Sequence, residues 1–96
     1  MSTKPQEFDV DRAWQLHPGV AVRPERFGAL LYHFGTRRLS FLKTPMLLDV
    51  VQGLADAPSA RDACRNAGVD DSQAAMYHRA LAGLAATDMI CEQAVA

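Results

Sequence analysis

The sequence predicts an α+β domain in which a three-stranded antiparallel sheet is followed by three helices, in the order βββααα. Three observations predict it. Two β-rich runs meet across a glycine-led turn in Phe27 to Lys43, FGALLYHFGTRRLSFLK. Helix-start signals appear after that stretch, at Thr44-Pro45, at Ser59 and at Asp70. Pro58 and Gly68 then divide the remaining chain into three helical segments.

Met1 to Gln15 reads as a polar arm punctuated by Phe8, Val10 and Trp14, without a strong period, and is expected to be mostly irregular. His17-Pro18-Gly19 is a turn signal, and Val20 to Arg23 reads as a short strand closed by Pro24. The middle run, Gly28 to Phe34, lies at the centre of the simplest meander. With Gly35-Thr36 as a two-residue type II′ turn, Tyr32 pairs with Leu39 and Leu30 with Phe41. These four share one face, which is expected to be the core side. Ala29, Leu31 and His33 with Arg38, Ser40 and Leu42 make a mixed opposite face.

Thr44 can cap a helix that has Pro45 at its first position and runs to about Ala55. Leu47, Val50, Val51 and Leu54 fall at the i, i+3, i+4, i+7 spacing of a buried stripe, expected to cover the face of Leu30, Tyr32, Leu39 and Phe41. Ser59 caps a short second helix with Ala60, Ala63, Cys64 and Ala67 on one stripe, stopped by Gly68. Asp70 and Gln73 have the offset of a capping box, so the third helix should begin at Asp71 and reach about Ala86. Its large residues Tyr77, Leu81 and Leu84 share one stripe, and Met76, Ala80 and Gly83 share the next. Met89-Ile90 closes the core. This is the order of a winged helix-turn-helix with its hairpin moved ahead of the helices.

The 96 residues, 49% hydrophobic and 7% aromatic, suit one domain with a modest core. Net charge is −1, but it is unevenly spread. From His17 to Lys43 five basic residues (Arg23, Arg26, Arg37, Arg38, Lys43) face one acid, Glu25, a net of plus four. From Thr44 to Ala96 three basic residues face seven acidic ones, a net of minus four. The start MSTKPQEFDV has no apolar signal region and no run has the length of a membrane span, so a cytoplasmic protein without a membrane partner is expected. Cys64 and Cys91 form neither a disulfide framework nor a CxxC pair, and both read as inert reduced thiols. His17, His33 and His78 have no ligand spacing. No phosphate loop, serine elbow or carboxylate pair suggests an enzyme, a metal or a cofactor.

A winged helix raises DNA binding as one alternative, and a different protein-interaction module as another. The third helix offers only Arg79, Gln73 and His78 within a net-negative half, which argues against nucleic acid. The remaining feature is the strand edge. Pro18 and Pro24 blunt the first strand, whereas Arg38-Leu39-Ser40-Phe41-Leu42-Lys43 contains no proline and could accept an added strand. The cations around it serve either as gatekeepers against aggregation or as an attraction for an acidic peptide.

The segments LHPGVAVRP, FGALLYHFGTRRLSFLKTP and LAGLAATDMI, over about Leu16 to Ile90, resemble the PqqD-like RiPP recognition elements. Within that family, FDVDRAW, RPERFGALLYHFGTRRLSFLK and LLDVV are similar to the chaperones of mycofactocin biosynthesis. The chain departs from the broader pattern at Asp88, where a glycine is common, and in its alanine-rich second helix. The resemblance implies an arm over 1–15, a peptide-recognition domain over 16–91 and a tail over 92–96. It implies a non-catalytic protein without a cofactor that holds the leader of a ribosomal precursor peptide and presents it to a radical-SAM maturase containing iron–sulfur clusters. It also implies that the leader pairs with Arg38, Leu39, Ser40, Phe41, Leu42 and Lys43 and lies beside a groove wall of Met76, Ala80 and Gly83. Small residues there either leave a channel or admit a closely packed neighbouring helix.

Overall fold

A computed structural model describes residues 8–93, so the beginning of the 1–15 arm and the end of the 92–96 tail lie outside the described residues. The elements are β1 (Trp14–Leu16), β2 (Val20–Glu25), β3 (Gly28–His33), β4 (Arg38–Leu42), α1 (Pro45–Gly53), a 3-10 turn (Leu54–Asp56), α2 (Ala60–Ala67), α3 (Asp71–Ala86) and β5 (Ile90–Glu92). The expected three-stranded antiparallel sheet is present in the order β2-β3-β4, and three helices follow it. β1 and β5 add a separate antiparallel ribbon, pairing Trp14 with Glu92 and Leu16 with Ile90. The irregular reading through Gln15 therefore misses a strand. Trp14 is fully buried, and its indole N–H donates to Asp9 O at 2.8 Å.

The helix boundaries follow local chemistry. Thr44 caps α1 by accepting the Leu47 N–H, with Pro45 in the first turn. Ser59 caps α2 through the Asp62 N–H, and Gly68 ends it with φ 96°. Asp70 and Gln73 form the full capping box of α3. After Ala86 the chain turns through Asp88 at φ 60°, while the Met89 N–H returns to Leu84 O at 2.8 Å.

The hairpin register is as expected: Leu30 lies opposite Phe41 and Tyr32 opposite Leu39. The faces are inverted. Ala29, Leu31, His33 and Leu42 are buried, whereas Leu39 and Phe41 are 56% and 60% exposed. Leu47, Val50 and Val51 of α1 belong to the core on the Ala29 and Leu31 side. Both faces are apolar enough to satisfy a period-2 pattern, and size ranks the wrong one first. A small alanine near the start of β3 leaves room for a helix to lie close. The chain also enters α1 directly after Leu42, whose side chain points inward.

The turn differs too. Residues 34–37 form a four-residue loop, and the positive φ falls on Arg37 (61°), not on Gly35. His33 explains this: its Nδ1 accepts the N–H groups of Gly35 (3.0 Å) and Thr36 (3.2 Å), which holds the loop open. β2 continues through Pro24 to Glu25 instead of stopping at Arg23. Proline is tolerated there because Pro24 and Ala29 form a non-hydrogen-bonded pair on an edge strand. Gly28, at φ 152°, approaches the Leu42 carbonyl so closely that an added Cβ would lie 2.1 Å from its oxygen.

Candidate functional site

Among the described residues β4 pairs with β3 on one side only, which leaves its other edge open. The Phe34 N–H donates to Gly19 O at 2.9 Å, which fixes the alternation along β3. By the same alternation Tyr32 and Leu30 direct their amides to β2, whereas His33, Leu31 and Ala29 direct theirs to β4. Arg38, Ser40 and Leu42 therefore turn back to β3, and the Leu39 and Phe41 amides point to the open edge.

Beside that edge lies a cavity of about 310 Å³, near the small end of ligand sites. It is lined by Phe41, Leu42, Lys43, Thr44, Leu47, Met76, Tyr77, Ala80 and Leu84. The end of β4 supplies one wall and one flank of α3 the other. Of the residues named from sequence, the structure brings Phe41, Leu42, Lys43, Met76 and Ala80 together there. Arg38, Leu39 and Ser40 lie further along β4 and Gly83 further along α3, outside the cavity lining. Leu42 is fully buried and forms floor, while Met76 is 57% exposed at the mouth. A Cβ added at Gly83 would meet nothing within 4 Å, so no helix packs closely on it.

Thr44, Leu47, Tyr77 and Leu84 were missed as lining residues because each already had a role as a cap or as core. Tyr77 carried the available signal. A buried tyrosine in a leucine stripe needs a partner for its hydroxyl, and here the hydroxyl lies 3.1 Å from Thr44 Oγ1. That hydrogen bond joins the start of α1 to α3 within the cavity lining.

The charges around the site are largely uncompensated. Arg26, Arg37, Arg38 and Lys43 form no ion pair among the described residues; those present join Arg12, Arg23, Arg61 and Arg65 to carboxylates. Away from the site, the Arg61 hydrogen bond and charge hold the Asp11 carboxyl below its ordinary range, and the pair ties residues 9–12 to α2. Burial pushes the Cys64 thiol up, against a smaller opposing effect of Arg61, which keeps it protonated.

The histidines are less scattered than their spacing suggests. The rings of His17 and His33 lie 4.4 Å apart, and each accepts backbone N–H groups of its own turn through Nδ1. They are loop-capping residues. Among the described residues no group of three or more His, Cys, Asp or Glu is placed to hold a metal ion.

Fold and site define a small α+β interaction module with an open strand edge running beside an apolar groove. A family model described as the Peptide chaperone MftB family matches residues 13–91, and the chain belongs to that family. It is similar to the peptide chaperone MftB of Mycobacterium tuberculosis, with 64% identity over 84 residues, 88% of this chain and 77% of the relative. With that of Mycobacterium ulcerans it shares 63% over 86 residues, 90% of this chain and 79% of the relative. With that of Mycolicibacterium smegmatis it shares 56% over 93 residues, 94% and 91% of the two chains. The family is one of chaperones, not of enzymes. No solved structure matches the chain.

Proposed function

We propose that this protein binds the leader of the mycofactocin precursor peptide by strand addition to β4 and presents the peptide to a radical-SAM maturase. The observation that carries the reading is the juxtaposition of outward amides at Leu39 and Phe41 with the apolar cavity beneath Phe41, Met76 and Ala80. An extended peptide makes main-chain hydrogen bonds with an open edge, and pockets beside that edge select alternate side chains. Arg38, Leu39, Ser40, Phe41, Leu42 and Lys43 form the platform, and Met76, Ala80 and Gly83 the facing wall. The plus-four sheet half attracts an acidic leader. The domain spans 16–91, and the work is done in the cytoplasm, where precursor and maturase occur together. Family membership supports the chaperone role.

The test exploits backbone pairing. Leu39→Pro removes an outward amide and leaves the β3–β4 ladder whole, while Leu39→Ala removes the side chain alone. Titration with the precursor peptide should show binding lost in the folded proline variant and retained in the alanine variant. Ser40→Pro breaks an internal ladder bond and should unfold the hairpin. Native affinity in folded Leu39→Pro would refute strand addition at this edge.

A further inference from the structure

The sheet face turned away from the helices meets the groove only at Phe41. Leu30 and Tyr32 of β3 lie opposite Phe41 and Leu39 of β4, and all four share this face. Phe34 extends it at one end, 65% exposed, with its ring edge-on to Tyr32 at 4.8 Å. Phe27 extends it at the other, 45% exposed and 6.1 Å from Phe41. The helices cover the opposite side, so among the described residues no element lies over this aromatic and leucine face, in which Leu30 and Tyr32 are half-buried between their exposed neighbours. A contiguous apolar patch rimmed by polar groups marks an interaction surface.

The rim says what fits it. Arg23 stands on the β2 part of the face, opposite Leu30; Arg26 and Arg37 sit in the two turns; and Lys43 follows β4. Only Arg23 of these four is ion-paired among the described residues, to Glu25 at 3.1 Å. Tyrosine, phenylalanine and arginine around an apolar centre are the composition of protein–protein interface cores and hot spots. Two copies meeting through this face would set four cations against four, which disfavours a twofold dimer. Phe41 belongs to both the groove and this face, so a partner seated here would lie beside an extended chain held in the groove.

We propose that the outer face of β2-β3-β4 is a second docking surface, for the enzyme that modifies the held peptide, through a protein patch with an apolar centre and a carboxylate rim. This rests on the preceding reading for the identity of the partner. It does not rest on that reading for the location of the surface.

The test uses Ala21→Glu and Phe34→Ser. Ala21 is exposed and lies opposite Tyr32, and neither residue lines the groove. Each variant is checked for a native melt, then titrated with precursor peptide and, as the peptide complex, with the maturase. Peptide affinity should stay within about twofold, while maturase affinity falls roughly tenfold or more and, in the unaltered protein, weakens with salt. Unchanged maturase affinity in both folded variants would overturn the proposal. So would the same variants abolishing self-association measured by sedimentation, binding to anionic vesicles or binding to an oligo-dT strand, since the face would then serve another occupant. Failure of the groove reading looks different: the unaltered protein would not bind the peptide at all. No association of the unaltered peptide complex with the maturase would remove the proposal.

Discussion

The hydroxyls of Thr44 and Tyr77 lie 3.1 Å apart, and Thr44 Oγ1 also accepts the Leu47 N–H at 3.1 Å. One threonine thus caps α1 and pins α3, and both residues line the groove. Tyr77→Phe keeps the ring and removes the tie. The variant should lose about 1 kcal/mol of stability by chemical denaturation. Unchanged stability would show that the hydroxyl contact does not hold the two helices.

Ala80 lines the cavity without belonging to the Tyr77, Leu81 and Leu84 core stripe. Ala80→Trp should fill the channel while circular dichroism and melting stay near native. Peptide affinity should fall on the order of tenfold or more. A folded variant with native affinity would take Ala80 out of the site.

Asp88 occupies a left-handed position at the end of α3, with φ 60°. Such a conformation is strained for a residue with a Cβ and easy for glycine. Asp88→Gly should raise stability by about 0.5 kcal/mol, less than the strain relieved because glycine loses more entropy on folding. Asp88→Ala should not raise it, and thermal melts of the two variants decide the point.

The Asp70 carboxyl is held below its ordinary value of 3.8, first by the Ser72 hydroxyl, against desolvation, which is the next largest effect, and with smaller help from the backbone N–H groups of Gln73 and Ser72. A folded-state value below the unfolded one contributes stability that is present above about pH 4 and is lost as pH falls through the folded value. Asp70→Asn keeps a capping side chain without the charge. Its melting temperature should lie below that of the unaltered protein at pH 6, and the difference should shrink as pH falls below 3.8. A constant gap from pH 6 to pH 2 would contradict the assignment.

Where a residue's role is set by its sequence neighbours, the sequence was readable. Thr44-Pro45, Ser59, Gly68 and the Asp70–Gln73 box end and begin helices through bonds that span three or four residues. The strand partners Leu30–Phe41 and Tyr32–Leu39 were readable because parity survives the change from a two-residue to a four-residue turn. The buried face was not, because Ala29 and Leu31 compete with Leu30 and Tyr32 on nearly equal terms until α1 is placed. The β1–β5 ribbon joins residues almost eighty positions apart through three-residue strands, too short for any period. A lone tryptophan in a polar arm was its one sign. Of the cavity lining, Phe41, Leu42, Lys43, Met76 and Ala80 were named through the family resemblance, Phe41 in spite of its expected place in the core; Thr44, Leu47, Tyr77 and Leu84 were hidden behind duties as cap or core already assigned.

In the proposed complex a peptide completes the ladder on β4. Amide hydrogen exchange, resolved residue by residue by NMR with and without saturating precursor peptide, tests it most directly. In the free protein the Ser40 amide should already be protected through β3, while Leu39 and Phe41 exchange quickly. With peptide bound, Leu39 and Phe41 should become protected by at least roughly tenfold, the change a tenfold shift in the opening equilibrium produces. Peptide binding that leaves both amides exchanging at their free rates would contradict the account.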